Sequence, residues 1–108
     1  MVTIDDFKKL EIRIGTVVSA EKVSDTDKLL KLSVDFGEEA PRQIVSGIAE
    51  YVAPEEIIGL QFPFVANLES RSIRGIESQG MILALGSDKN SFSLISPRRQ
   101  VTPGSLIR

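Results

Sequence analysis

Leu30-Lys31-Leu32-Ser33-Val34-Asp35-Phe36 is the cleanest period-two pattern in the chain. Leu30, Leu32, Val34 and Phe36 fall on one side of an extended backbone, and Lys31, Ser33 and Asp35 on the other. This is how a strand with one face in a core and one in solvent reads. Turn sequences bracket it, Ser24-Asp25-Thr26-Asp27 before and Gly37-Glu38-Glu39-Ala40-Pro41 after. Upstream, Ile12 to Ala20 is a long β-prone run, and Gly15 inside it predicts a bulge or a sharp bend. Downstream, Arg42 to Ile48 alternates Ile44, Ser46 and Ile48 against Val45 and Gly47. Phe62, Phe64 and Ala66 form another alternating set, where Pro63 predicts an edge position or a bulge. Met81 to Leu85 reads as the fifth strand, and Asp88-Lys89-Asn90 turns the chain into Phe92 to Ile95.

Two short helical signals complete the pattern. Thr3 with Asp6 three residues on resembles a capping box, with Asp in place of Glu, and Phe7 and Leu10 then supply an apolar face. Ala53 to Gly59 reads as one helical turn, with Pro54 at its start, acids in its first turn and Gly59 at its close. Five strands with a short helix between the third and fourth is the order of an OB-fold, an all-β five-stranded Greek-key barrel. One domain is expected: an N-terminal helix over 1–10, the barrel over 11–87 and an extension over 88–108. Val101, Leu106 and Ile107 in the extension need a surface to pack on. A second copy of the chain is the favoured one, the chain's own barrel the alternative.

Composition narrows the function. The 108 residues include no His and no Cys. The commonest general base, the thiolate nucleophile and the usual zinc ligands are missing, so catalysis, a metal and a cofactor are not expected. No Gly-rich loop followed by Lys-Ser/Thr offers a nucleotide-phosphate cradle. There is no run of 18 apolar residues, so no membrane span is expected, and the acidic N-terminus does not read as a signal peptide. A cytoplasmic protein is expected. Net charge is −2, but it is unevenly spread. Residues 1–60 carry 7 Lys+Arg and 12 Asp+Glu, whereas residues 61–108 carry 6 and 3, the six being Arg71, Arg74, Lys89, Arg98, Arg99 and Arg108. Screening lets a local basic surface act despite an acidic total.

Asn67 to Gly80 is a long polar loop with two arginines, three serines and no aromatic residue. Guanidinium groups, hydroxyls and glycine-exposed N–H groups suit phosphate and sugar oxygens. In chain order, five segments carry a family resemblance: Asp6 to Gly15, Asp27 to Leu32, Arg42-Gln43-Ile44-Val45-Ser46-Gly47-Ile48, Asn67-Leu68, and Arg74-Gly75-Ile76-Glu77-Ser78-Gln79-Gly80-Met81. Together they resemble the tRNA-binding domain family, which includes the C-terminal appendix of many methionyl-tRNA synthetases, stand-alone bacterial tRNA-binding proteins and a chaperone-like branch. Glu69-Ser70-Arg71-Ser72 departs from relatives that are richer in Lys and Pro. The resemblance implies an OB-fold homodimer that recognises the folded shape of tRNA, alone or beside an aminoacyl-tRNA synthetase. The alternative is a chaperone-like dimer that binds peptides.

The candidate RNA-binding residues are Lys28, Lys31, Ser33, Arg42, Asn67, Arg71, Arg74, Ser78, Gln79 and Met81. Arg71 and Arg74 are expected on phosphates, Lys28 and Lys31 as point charges, and Ser78 and Gln79 on sugar or phosphate oxygens. Met81 reads either as packing on a ribose or base or, preferably, as a buried strand residue. Asn67 reads preferably as an Asx-type brace of the loop. The aromatics, Phe7, Phe36, Tyr51, Phe62, Phe64 and Phe92, fall mostly on core faces, which leaves few for stacking on unpaired bases.

Overall fold

A computed structural model describes residues 1–108. Thr3 caps a short helix, α1 (Ile4–Lys8): its hydroxyl accepts from the Asp6 N–H at 3.1 Å, and the Asp6 carboxylate accepts from the Thr3 N–H at 3.3 Å. The strands are β1 (Ile12–Lys22), β2 (Leu30–Asp35), β3 (Arg42–Ser46), β4 (Gln61–Val65), β5 (Arg71–Ile73), β6 (Ile76–Ser78), β7 (Met81–Ile82), β8 (Ala84–Leu85) and β9 (Ser93–Leu94), with a 3₁₀ turn at Pro54–Glu56. An antiparallel sheet in the order β3-β2-β1-β4-β7 curls into a nearly closed five-stranded barrel of the OB type, as the alternating sequence predicts. No helix is long and apolar enough to cross a membrane.

The inner face of the barrel is the apolar half of each alternating strand. Leu30, Leu32 and Val34 are buried and alternate with half-buried Lys31, Ser33 and Asp35. They meet Val17, Phe36, Ile44, Ile57, Phe62, Phe64 and Ile82 in one cluster. Phe36 and Phe64 meet edge to face with centroids 5.3 Å apart.

β1 bends and serves both halves of the barrel. Ile12–Thr16 pairs with β4, and Thr16–Lys22 pairs with β2. The register slips between Val17 and Ser19, so the bulge falls beside Val18 and not at Gly15. Gly15 has another reason to be small. A Cβ there would lie 2.4 Å from Val34 Cγ1 and 2.8 Å from Phe36 Cε1, so the glycine lets core side chains of β2 rest on the β1 backbone. Pro63 likewise differs from its sequence reading, because β4 lies inside the sheet. The Pro63 carbonyl accepts from the Leu83 N–H at 3.0 Å, just past the end of β7. The missing N–H therefore falls where that ladder stops.

The extension packs on its own barrel. Phe92 stacks on Tyr51 at 4.6 Å and docks the β8–β9 hairpin. The last residues run along the edge of β1 that β2 leaves open: Gly104 N–H donates to Ile14 O at 2.7 Å, Ile14 N–H to Ser105 O at 2.9 Å and Ile107 N–H to Ile12 O at 2.7 Å.

The remaining seam lies between β3 and the segment joining β6 to β7, and side chains close it. Val45 N–H donates to Ser78 Oγ at 3.0 Å, and Ser78 Oγ donates to Gly80 O at 3.1 Å. Gln79 N–H donates to Gln43 O at 2.8 Å, and Gln43 N–H donates to Gln79 Oε1 at 3.1 Å. Ser78 is 1% exposed, so Ser78→Ala strands a buried Val45 N–H. The expected loss is about 1–3 kcal/mol, read as a lower urea midpoint at unchanged m-value. An unchanged midpoint would show that the seam is held by other bonds.

Candidate nucleic-acid interface

The long loop of the sequence contains a hairpin. β5 and β6 pair Arg71 with Ser78, Ser72 with Glu77 and Ile73 with Ile76. Arg74 and Gly75 form its two-residue turn, with φ of 52° and 78°. Positive φ at both central residues is type I′ geometry, for which Asn-Gly or Asp-Gly is the usual sequence signal. Arg-Gly is not that signal, and the hairpin was not legible for that reason. Arg74 stands exposed at the tip, and Arg71 is exposed at the other end of β5.

Four of the thirteen Lys and Arg residues are paired with carboxylates, and Arg71 and Arg74 are among the nine that are not. Lys9 pairs with Asp6, Arg13 with Glu11, Lys31 with Glu21 and Arg42 with Glu38. Arg71, Arg74 and Lys28 have no carboxylate within ion-pair distance, so their charge is free for a ligand. Arg74 shares a cleft of about 380 Å³ with Lys22, Ser24, Lys31 and Glu21. A second opening shares Glu21 and Lys31 and continues over Ser33 and Gln43, the outward side of β2 and β3. A third, also about 380 Å³, lies between β3 and β5 and is lined by Arg71, Ser72, Ser46 and Met81. Lys28 is exposed and precedes Leu29, another residue of that third cleft.

The structure thus brings Lys31, Ser33 and Arg74 around two connected openings, with Arg71 and Met81 at a third. Met81 is 40% exposed, against the preferred buried reading, because Ile82 is the residue of β7 that enters the core. Of the remaining five candidates, Lys28 is exposed next to the third opening, and four are engaged within the protein. Ser78 and Gln79 close the barrel seam. Asn67 is a long-range pin, not a local brace: its Oδ1 accepts from Glu11 N–H at 2.8 Å and its Nδ2 donates to Lys9 O at 2.7 Å, fixing the junction of α1 and β1. Arg42 donates from Nε and Nη2 to the two oxygens of Glu38 at 2.8 and 2.7 Å, and from Nη1 to the Ala66 carbonyl. Its guanidinium also lies 5.3 Å from the centre of the Phe36 ring. Four polar candidates thus hydrogen-bond within the fold, and for Asn67 a structural role was already the preferred reading. Glu11, Gln43 and Val45, the partners of Asn67, Gln79 and Ser78, lie far away in the chain, where no spacing rule links them, whereas Glu38 is only four residues from Arg42.

A family model described as "Putative tRNA binding domain" matches residues 12–106. The chain belongs to the tRNA-binding domain family. It is 48% identical over 107 residues to a methionine–tRNA ligase of Methanocella arvoryzae, covering 99% of this chain and 15% of that protein. A methionine–tRNA ligase of Bacteroides fragilis is 47% identical over 107 residues, with 99% and 16% covered. The chain therefore spans only a small part of these relatives and corresponds to their small tRNA-binding module, not to the catalytic core. The crystal structure of a MetRS related protein from Pyrococcus horikoshii superposes with a TM-score of 0.90 at 40% identity, covering 100% of this chain and 98% of that one. The chaperone CsaA of Bacillus anthracis superposes at 0.88 with 30% identity, covering 100% and 99%.

Glu38 links the fold to pH. The hydrogen bonds from Arg42 hold its carboxyl below the usual range. A depressed carboxylate stabilises the fold above its unfolded pKa, and that contribution is lost as pH falls through the folded value. Acid titration followed by circular dichroism should therefore show stability falling below about pH 4. Glu38→Gln should be less stable near neutrality and show a shallower fall. An equally steep fall in the variant would place the acid sensitivity at other carboxylates.

Proposed function

We propose that this module grips folded tRNA by its shape, at the outer corner of the L, and serves an aminoacyl-tRNA synthetase in the cytoplasm, in cis, in trans or alone. The methionine–tRNA ligases among its relatives favour the methionyl enzyme. One observation carries the reading: Arg71 and Arg74, free of acidic partners, project from one hairpin, Arg74 beside Lys31 of β2 and Arg71 beside the end of β3. The aromatic inventory supports shape over base stacking. Phe36, Phe62 and Phe64 are buried, and Tyr51 and Phe92 stack on each other. A surface of cations and hydroxyls without a free aromatic platform suits phosphates and 2′-hydroxyls of structured RNA. An added weak site raises the effective concentration of tRNA near a catalytic domain, which is how a non-catalytic module helps a synthetase.

Gel shifts with bulk tRNA, and with poly(U) and duplex RNA as competitors, test this. Binding should be salt-sensitive, competed by unlabelled tRNA and not by poly(U). Arg74→Ala should weaken all tRNAs alike and lower the log–log salt slope by nearly one, about the share of one phosphate contact. A loss confined to one tRNA would contradict a phosphate role for Arg74.

The same reading includes a homodimer. Ile4, Phe7 and Leu10 of the N-terminal segment and Leu106 and Ile107 of the tail line an apolar groove of about 310 Å³. The tail's backbone is bound to β1, yet Leu106 remains 51% exposed. A second copy is the simplest cover for such a surface. Light scattering should give a dimer for the wild type and a monomer for Leu106→Glu. A monomeric wild type at micromolar concentration would leave the groove to a peptide, the chaperone-like alternative that the CsaA relative's name suggests.

A further inference from the structure

The geometry points to a nucleobase pocket: the cleft between β3 and the β5–β6 hairpin takes one unstacked base of the bound RNA. This rests on the tRNA-binding reading and adds a contact that phosphate recognition alone does not require. β3 alternates Ile44 in the barrel core with Val45 on the outside, yet Val45 is only 4% exposed. β6 and β7, packed on that side of β3, provide its cover, and β7 is also a wall of the cleft. Val45 and Ile82 are the buried apolar residues of the cleft, and Ile73 and Met81 extend that surface towards solvent. At about 380 Å³ the cleft lies at the small end of ligand pockets, a size for one base and not for a duplex.

Three features favour a nucleotide as occupant. Arg71 lines the cleft with no carboxylate partner, so its guanidinium is available to the base's face or to its phosphate. The Met81 thioether is a polarizable surface that replaces the missing aromatic platform. The Gly47 N–H beyond the end of β3 has no acceptor within the protein and can read a base edge. An extended peptide is a poorer fit. Strand addition needs a free edge, and Gln79 and Ser78 already hold the Gln43 and Val45 positions of β3.

The test uses the full chain, labelled with ¹⁵N. AMP, GMP, CMP and UMP are titrated separately, with inorganic phosphate and ribose 5-phosphate as controls. The amides of Gly47, Ile73 and Met81 should shift with the nucleotides and not with the controls. Gly47→Leu supplies the second arm. A Cβ at Gly47 meets no atom within 4 Å, so the larger side chain enters open space, and the same spectra report that the fold holds. This variant should lose the nucleotide shifts and bind tRNA about tenfold more weakly at unchanged salt slope, unlike Arg74→Ala. Shifts with phosphate or ribose 5-phosphate alone would overturn the base pocket, leaving an anion site. It is equally overturned by a silent cleft in a protein that still binds tRNA, by wild-type affinity in Gly47→Leu, or by shifts with an apolar peptide and not with nucleotides. Nucleotide-specific shifts in a protein that fails to bind tRNA would sink the tRNA reading and leave the pocket standing.

Discussion

A curled sheet must dispose of its edges. Unpaired N–H and C=O groups along a strand either bind water, bind other chains or are paired from within. In this barrel two edges need pairing from within, and most of the structure's polar economy follows from how that is done. The bend in β1 opens one edge along Ile12–Ile14, and residues 104–107 lie against it. The outer edge of β3 is the other, and it is met by a serine hydroxyl and a glutamine amide. Side chains reach where a strand would not fit, because the β6–β7 segment turns sharply at Gly80, whose φ is 152°. A Cβ at Gly80 would lie 3.1 Å from both Ile44 Cδ1 and the Val65 carbonyl, so the turn also needs the smallest residue.

That closure decides what is left for a ligand. Once Ser78, Gln79, Asn67 and Arg42 are bound internally, the loop offers its hairpin tip and its outer face, not its whole polar content. Charges divide in the same way. Arg42 is neutralised by Glu38, and Lys31 by Glu21, whereas Arg71 and Arg74 are not. A net charge of −2 is therefore compatible with a local cationic surface, since exposed charges are screened over roughly 8 Å. Glu21 beside Lys31 has a consequence of its own. A ligand must supply enough negative charge to displace that carboxylate, and a polyanion does so more readily than a single phosphate.

Legibility in the sequence tracked the range of the interactions involved. Leu30 to Phe36 announced β2 because period two is local and its bracketing turns are unambiguous. The Thr3–Asp6 cap and the turn at Pro54 were legible for the same reason. Met81 to Leu85 is apolar almost throughout, so no alternation fixes its phase, and Ile82 took the core position in place of Met81. Gly15 was correctly marked as special, but its reason lies in Val34 and Phe36 on another strand. The tail's apolar residues were plain, while its destination depended on an edge that exists only after β1 bends. Ser78 is the sharpest case: a serine in a polar loop reads as a binding group, and only the approach of Val45 makes it a fastener.

Arg74 shows the opposite relation, a residue whose local cost argues for its use. The left-handed region costs a side-chain-bearing residue about 1–2 kcal/mol, and Asn, Asp or Gly would relieve it in a type I′ turn. The guanidinium has no carboxylate partner and the side chain is exposed, so the fold recovers nothing visible from it. Strain with no structural return, at the tip of an element bordering the outward surface of β2, is what a ligand-directed residue looks like. The hairpin holds Arg74 through Ile73 opposite Ile76, a pair that fixes its direction without fixing its charge. The arrangement gives up a small part of the stability of β5 and β6 to put an exposed cation at the hairpin tip, which supports the proposed phosphate contact.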